Sequence, residues 1–144
     1  MPHNIIAIGS DHAGFALKTI LLAEIASLGS QALDVGTTDE ESVDYPDFAN
    51  ELIAALKDGR ARRGVLVCGS GIGMSIAANR HPEIRAALCH DVEGARLARQ
   101  HNDANVLVLG ARSTSADVAR QCLAVFLDTE FEAGRHARRV AKLG

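Results

Sequence analysis

The chain has 144 residues, a net charge of −3, and 47% hydrophobic and 23% charged residues, which excludes a disordered, collagen-like or coiled-coil protein and predicts a single domain over residues 1–144. The negative charge and the 3% of aromatic residues argue against nucleic acid as a partner, because phosphate binding needs a broad basic face and base stacking needs rings. Neither a bilayer-spanning apolar run nor a signal peptide is visible, so we expect a cytoplasmic protein with no membrane partner.

Short apolar runs alternate with segments of helical periodicity along the chain, which is the pattern of β-α-β units in a parallel sheet. The runs that predict strands are Ile5–Ile8, Ala32–Val35, Val65–Cys68, Ile84–Cys89 and Val106–Leu109. We therefore predict one three-layer α/β/α domain with a five-stranded parallel, Rossmann-like sheet and about five helices.

Apolar residues three and four apart predict the helices between these strands. One such face ends at Gly29, a second has Pro46 in its first turn and Gly59 just past its end, and a third follows the last strand. The three faces are Leu17, Ile20, Leu21, Ile25 and Leu28; Phe48, Leu52 and Leu56; and Val118, Cys122, Val125 and Phe126.

The last stretch, residues 135–142, is basic in an otherwise acidic protein. It predicts either a solvated terminal helix or an arm that supplies cations to an anionic ligand. Its charged or titratable residues are Arg135, His136, Arg138, Arg139 and Lys142.

Ligands of open parallel sheets bind beyond the carboxyl ends of the strands, so the turns that follow the strands are the candidate functional sites. The first turn, residues 9–14, has the glycine spacing of a P-loop, but Phe15 stands where the phosphate-binding lysine belongs. It therefore does not predict a nucleotide site. It displays Asp11 and His12 at a strand end, unless Asp11 only caps the next helix.

The second turn, residues 68–74, carries three glycines at alternate positions. They allow the backbone to approach a ligand and to point N–H groups at an anion. Met74 occupies the third glycine position of a dinucleotide fingerprint, which disfavours a Rossmann cofactor site. Cys68 faces these N–H groups, a setting that favours thiolate over thiol. Cys89, in a predicted strand, and Cys122, on an apolar helix face, are predicted to be inert.

The remaining polar candidates lie on other loops: His101 and Asn102 after the fourth helix pattern, Tyr45 before the second, and Arg112 after the fifth strand. The three cysteines lack Cys-x-x-Cys spacing and no His-x-x-x-His pair is present, so we predict neither a disulfide framework nor a metal site. A base, N–H donors and cations together suit proton abstraction next to a carbonyl on a phosphorylated substrate, without a cofactor.

At these residues the chain resembles the ribose-5-phosphate isomerase B family, which also includes galactose-6-phosphate and allose-6-phosphate isomerases. Seven motifs in the family's order carry this resemblance over nearly the whole length. They are Gly-Ser-Asp-His-Ala-Gly (9–14), Val-Asp-Tyr-Pro (43–46), Cys-Gly-Ser-Gly-Ile-Gly-Met (68–74), Arg-Ala-Ala-Leu-Cys (85–89), Arg-Gln-His-Asn-Asp-Ala-Asn-Val-Leu (99–107), Gly-Ala-Arg (110–112) and Phe-Glu-Ala-Gly-Arg-His-Ala-Arg-Arg-Val (131–140). Some members use a Glu near position 74 as the base; this chain has none there and resembles the subgroup with a cysteine base.

The resemblance implies an aldose–ketose isomerase that works through a cis-enediolate, with Cys68 as the base and His101 as the acid/base that opens the sugar ring. Oxyanion and substrate contacts would come from the loop Gly69, Ser70, Gly71, Ile72 and Gly73. By the same resemblance Asp11 and Asn102 would orient sugar hydroxyls, Tyr45 would line the pocket, and the phosphate would be bound by His12, Arg112, Arg135 and Arg139.

The resemblance also implies a homodimer, or a higher homo-oligomer, with sites between subunits, so that the basic arm would serve either its own site or the partner's. The implied substrate is ribose 5-phosphate, with a hexose 6-phosphate or a tetrulose 4-phosphate as the alternatives. A binding module without catalysis is the other reading, against which the presence of both Cys68 and His101 argues.

Overall fold

A computed structural model describes residues 4–144 and contains one sheet of five parallel strands. The strands are β1 (Ile5–Ser10), β2 (Gln31–Gly36), β3 (Arg63–Cys68), β4 (Ala86–Leu88) and β5 (Val106–Gly110), in the spatial order β2-β1-β3-β5-β4. All five predicted strands are therefore present. The strand order is not sequential, because β5 lies between β3 and β4.

Six helices are present in the described residues, where the sequence predicted about five; five of them cover the sheet and the sixth packs against the fourth. They are α1 (Phe15–Ser27), α2 (Tyr45–Lys57), α3 (Ile72–Ala78), α4 (Val92–Asn102), α5 (Ala116–Asp128) and α6 (Arg135–Ala141). Helices α1, α4 and α5 pack on one face of the sheet, and α2 and α3 pack on the other. The predicted three-layer fold is confirmed. No helix within the described residues is long and apolar enough to cross a bilayer.

Alternating strand residues divide the core between the two faces, as the pleat of a strand requires. In β3, Val65 and Val67 face α1 and α5, whereas Leu66 and Cys68 face α2 and α3. Because β1, β3 and β5 have neighbours on both sides and helices on both faces, their sequences are nearly all apolar.

Glycines end two helices where the sequence predicted. Gly29 has φ +85° and Gly59 has φ +80°, and each follows the last residues of its helix, α1 or α2. A left-handed residue there lets later N–H groups bond back to the final turn, as Ser30 does to the carbonyl of Ile25 (3.1 Å). Leu28 is a correction to the predicted apolar face, since it lies at this helix end and is 42% exposed.

The fourth strand is shorter than predicted. The apolar run predicted a strand over Ile84–Cys89, but β4 covers only Ala86–Leu88. Side-chain bonds replace the ladder at its start, because the Asn105 amide oxygen accepts the N–H of Arg85 at 2.8 Å. Cys89 is therefore just beyond the strand rather than inside it, although it is buried.

A buried ion pair joins α1 to β2. The Lys18 ammonium is 1% exposed and lies 2.7 Å from an Asp34 carboxylate oxygen, which also accepts the N–H of Gly36 at 2.9 Å. A buried ammonium without a partner is costly, so the pair holds these elements together more strongly than a surface pair would.

We expect Asp34→Ala to lower the free energy of unfolding by about 3 kcal/mol, the lower end of the range for a broken buried pair, because Asp34 itself is 40% exposed. Asp117→Ala removes the partner of Arg120 in an exposed pair and is expected to cost less than about 1 kcal/mol. Urea denaturation of both variants compares them. Equal losses would contradict a structural role for the buried pair.

Candidate active site

The turn after β1 is tied to the neighbouring strand β3 by backbone contacts. The Asp11 N–H donates to the carbonyl of Val67 at 3.3 Å. A Cβ on Gly14 would lie 2.6 Å from that same carbonyl oxygen, so only glycine fits here. This contact brings Asp11 and His12 to the carboxyl edge of the sheet, beside Cys68.

Both polar side chains of this turn have defined partners. One Asp11 carboxylate oxygen accepts the Gly14 N–H at 3.0 Å, which closes the turn. Asp11 is not the N-cap of α1, since Gly14 holds that position without a side-chain cap. The other Asp11 oxygen is a further acceptor. The Nδ1 of His12 accepts the N–H of Val43 at 3.2 Å, which leaves Nε2 as the ring's donor.

Cys68 ends β3 and is 5% exposed. Its Sγ accepts the N–H of Gly71 at 3.2 Å, and the Ser70 hydroxyl accepts the N–H of Ile72 at 3.2 Å. Gly71 has φ +82°, a conformation that L side chains rarely adopt, and it turns the chain into α3. One N–H of the loop, that of Gly71, thus points back at the thiol.

The side chains of Arg112 and Tyr45 pack against two glycines of this loop, Gly69 and Gly73. A Cβ on Gly69 would lie 2.8 Å from the Arg112 guanidinium, and a Cβ on Gly73 would lie 2.6 Å from the Tyr45 ring. The Arg112 N–H also donates to the Gly69 carbonyl at 2.9 Å. The structure therefore gathers Asp11, His12, Tyr45, the loop 68–73 and Arg112 at one edge.

His101, Asn102, Arg135 and Arg139 form a second group, which we call the arm group. His101 and Asn102 are the last residues of α4, and the two arginines are exposed on α6. The ring of His101 stacks on that of His136 in α6, with centroids 4.2 Å apart. This stacking fixes the basic α6 beside the end of α4.

The arm group lies at the opposite edge of the sheet from Cys68. The backbone carbonyl of Asn105, three residues after Asn102, accepts the N–H of Gly64 at 2.9 Å. Gly64 lies at the start of β3, whereas Cys68 lies at its end. Gly64 and Cys68 are separated by four residues of strand, about 13 Å. Proton transfer to a shared substrate needs separations of about 3 Å. One chain alone does not unite His101 with Cys68.

Glu132 and His136 are neighbours of His101 in the fold, a contact that the sequence did not predict. The Glu132 carboxylate lies 3.9 Å from the Nε2 of His101 and 3.7 Å from that of His136. Within the described residues these three are the group that could hold a metal ion. The Glu-x-x-x-His spacing of Glu132 and His136 is the signal that could have revealed them.

Comparisons with known proteins place the chain in a family. A sequence model of the family described as Ribose/Galactose Isomerase matches residues 6–143. The chain belongs to this family. The resemblance predicted from the motifs, and with it the prediction of an isomerase, are confirmed.

Three relatives illustrate the similarity. Ribose-5-phosphate isomerase B of Escherichia coli is 42% identical over 94% of this chain and 91% of its own. D-erythrulose-4-phosphate isomerase of Pectobacterium atrosepticum is 43% identical, over 96% and 92%. The structure of Clostridium thermocellum ribose-5-phosphate isomerase B superposes with a TM-score of 0.95 at 47% identity, over 97% of this chain and 95% of that one.

The three thiols differ in surroundings, which predicts their order of alkylation. Burial, with smaller effects of Cys122 and Asp91, raises the pKa of Cys89 to about 12, and burial also raises the pKa of Cys122. Near neutral pH, iodoacetamide should therefore modify Cys68 first, and the other two only after denaturation. Mass spectrometry of the native protein and of Cys68→Ser measures this order. Earlier labelling of Cys89 or Cys122 would contradict it.

Proposed function

We propose that this chain interconverts ribose 5-phosphate and ribulose 5-phosphate, with Cys68 as the proton-transferring base. The observation that carries the proposal is a thiol at the carboxyl end of β3 that accepts the N–H of Gly71, in a chain of the ribose/galactose isomerase family. The relatives in Escherichia coli and Clostridium thermocellum, which are ribose-5-phosphate isomerases B, support this choice of substrate.

The isomerisation moves one proton between adjacent carbons. The Cys68 thiolate removes the proton from the carbon next to the carbonyl, which leaves a cis-enediolate. The resulting thiol returns the proton to the neighbouring carbon, while the hydroxyl proton passes from one oxygen of the intermediate to the other, so no redox partner is needed. Ser70 and the N–H groups of residues 69–73 stabilise the oxyanion, and the hydroxyls are oriented by Asp11 and by Asn102 of a second copy of the chain. Tyr45 forms one wall of the pocket.

The ring-opening step needs a second acid/base, and we assign it to His101 of a second copy of the chain. His101 takes the proton of the anomeric hydroxyl and then gives it to the ring oxygen as the bond between this oxygen and the anomeric carbon breaks, which yields the open aldehyde. The separation of His101 from Cys68 within one chain supports a site that is shared between two copies.

The surface beside β4 supports a homodimer. An open groove of about 550 Å³ follows the free edge of this strand, and Leu97, Val140 and Leu143 line it. Near it, Ile72 and Ile76 of α3 are 56% and 54% exposed, although both are large and apolar. A surface of this kind, next to an unpaired strand edge, favours association with another chain.

A two-fold axis perpendicular to the strands explains how such a dimer completes the site. Rotation about this axis exchanges the carboxyl and amino edges of the sheet, so the arm group of one copy comes to the Cys68 edge of the other. Two identical sites result. His12 and Arg112 of one copy then share the substrate phosphate with Arg135 and Arg139 of the other.

A second substrate is favoured by one relative. The 43% identity to D-erythrulose-4-phosphate isomerase supports a tetrulose 4-phosphate as the alternative substrate. Galactose 6-phosphate or allose 6-phosphate would use the same proton transfer. The length of the sugar that fits between the base and the phosphate clamp decides among them. Cys68 serves all of these reactions equally, whereas ring opening by His101 is needed only for the pentose and hexose phosphates, because O4 of a tetrose 4-phosphate carries the phosphate and cannot close a ring.

Turnover of a sugar-phosphate panel tests the proposal directly. We expect ribose 5-phosphate to give the highest kcat/KM, and Cys68→Ala to lose at least about 10²- to 10⁴-fold in kcat because the base is gone. Substrate binding by this variant should persist, as measured by calorimetry. Near-normal turnover by Cys68→Ala would refute the base, and a higher kcat/KM on another sugar phosphate would refute the substrate.

Mixed dimers test the shared site. Arg135→Ala or Arg139→Ala should each lose about 10- to 150-fold in kcat/KM, the effect of one charge-assisted contact, whereas Arg138→Ala on the same helix should not. An Arg135→Ala/Arg139→Ala chain and a Cys68→Ala chain, each impaired alone, should regain activity when mixed. The heterodimer then contains one site with all native residues.

Formation of the heterodimer is verified independently by native mass spectrometry. If heterodimers form and activity does not recover, the arm serves its own subunit. If all three arginine variants are equally active, α6 is a solvated tail.

A further inference from the structure

Three metal-ligating side chains from three segments meet at the amino edge of the sheet. They are His101 in the last turn of α4, Glu132 in the connection between α5 and α6, and His136 in α6. The Glu132 oxygen is 3.9 Å and 3.7 Å from the two Nε2 atoms, and all three ligand atoms lie within 4.8 Å of one another. The proposed isomerisation uses only His101 of the three.

The backbone holds this cluster in place. The Glu132 N–H donates to the carbonyl of Gln100 at 3.0 Å, which fixes the connection against α4. The His136 side chain is buried, at 10% exposure, and its ring stacks on that of His101 with an angle of 13° between the planes. The three ligands therefore converge through tertiary structure and not through the flexibility of one loop.

Both imidazole rings can offer a nitrogen to a cation. A neutral imidazole has one nitrogen lone pair available for a metal. The Glu132 carboxylate adds the negative charge that a divalent cation prefers.

Two imidazoles and one carboxylate are a donor set suited to zinc. Zinc–ligand bonds of about 2.0–2.1 Å put tetrahedral ligand atoms about 3.3 Å apart, so the ligand atoms must move closer together. Each imidazole lone pair lies in the plane of its ring, and the two planes are nearly parallel, so the ring of His101 must also rotate out of its stack on His136 to reach the same metal. The side chains of Glu132 and His101 are 51% and 39% exposed and are able to make that movement. His136, the buried member, remains in place.

We propose that His101, Glu132 and His136 form a Zn²⁺ site, with water in the fourth position, and that Zn²⁺ at this site inhibits the isomerase. A metal bound at the Nε2 of His101 occupies the lone pair that ring opening requires. The inhibition rests on the proposed function, because it needs His101 as the acid/base. Metal binding does not, and it is measurable without substrate.

Competition with a chromophoric chelator measures Zn²⁺ binding by the full-length, reduced protein. We expect one Zn²⁺ per chain, with an affinity that falls about 100-fold or more in Glu132→Gln. Loss of a residue that only hydrogen-bonds to a metal ligand already lowers metal affinity about 10–100-fold, and Glu132 would be a ligand itself. Glu130→Gln and His90→Ala change exposed residues of the same types and should leave the affinity unchanged. Cys68→Ser should also bind normally, which separates this site from the thiol.

Co²⁺ supplies a second measurement that does not depend on activity. Its visible absorption should report a four-coordinate site in the native protein and in Cys68→Ser, and should be lost in Glu132→Gln. Circular dichroism verifies that each variant is folded. Equal Zn²⁺ affinity in Glu132→Gln and the native protein, or loss of binding in Cys68→Ser, would overturn the site.

Inhibition is measured as the fraction of each variant's own activity that remains with Zn²⁺. The native enzyme should lose activity over the concentration range in which Zn²⁺ binds and recover it with EDTA. Glu132→Gln should need about 100-fold more Zn²⁺ for the same loss. Saturation of the site with no loss of ribose 5-phosphate turnover would overturn the inhibition, while leaving the isomerase function itself intact.

Discussion

The parallel direction of the five strands is the constraint on which the rest of the structure depends. Every strand-to-helix turn must lie at one edge of such a sheet and every helix-to-strand connection at the other. Cys68 therefore lies opposite Gly110 in the sheet register, and Asp11 bonds to β3, although these residues are far apart in sequence. The same constraint carries the end of α4, with His101, to the far edge. The site that we propose uses both edges, and for this reason we assign it to two chains.

At the carboxyl edge of the sheet, the backbones of neighbouring turns lie too close together for side chains at certain positions. A Cβ on Gly110 would come within 2.5 Å of the Ser70 carbonyl oxygen, and one on Gly14 within 2.6 Å of the Val67 carbonyl oxygen. The turns after β1, β3 and β5 thus touch through their main chains, and each turn limits the movement of the others. Side chains such as Asp11 and Arg112 are positioned on a frame that is already rigid, which is what a proton transfer over short distances requires.

Much of this could be predicted from sequence. The apolar runs predicted β1, β3 and β5 because buried strands need continuous apolar sequence, and a shorter run predicted the edge strand β2. Gly29 and Gly59 predicted helix ends because left-handed residues are needed there. The run at Ile84 predicted too long a strand, because side-chain bonds from Asn105 compete with the ladder. The insertion of β5 beside β3, and the meeting of His101 with Glu132 and His136, depend on tertiary packing that no local pattern encodes.

The strand order also governs how the chain can fold as it is synthesised. β1, β2 and β3 are neighbours made from the first 68 residues, so this half of the sheet can assemble early. The edge strand β4 pairs only with β5, which is made later and must pack between β3 and β4. Until the ribosome has released residue 110, β3 has one bare edge and β4 has no partner. During this interval the loop 68–73 of the nascent chain lacks the contacts that the turn after β5 makes with it. Premature termination there would leave the apolar central strand β3 exposed and prone to aggregation.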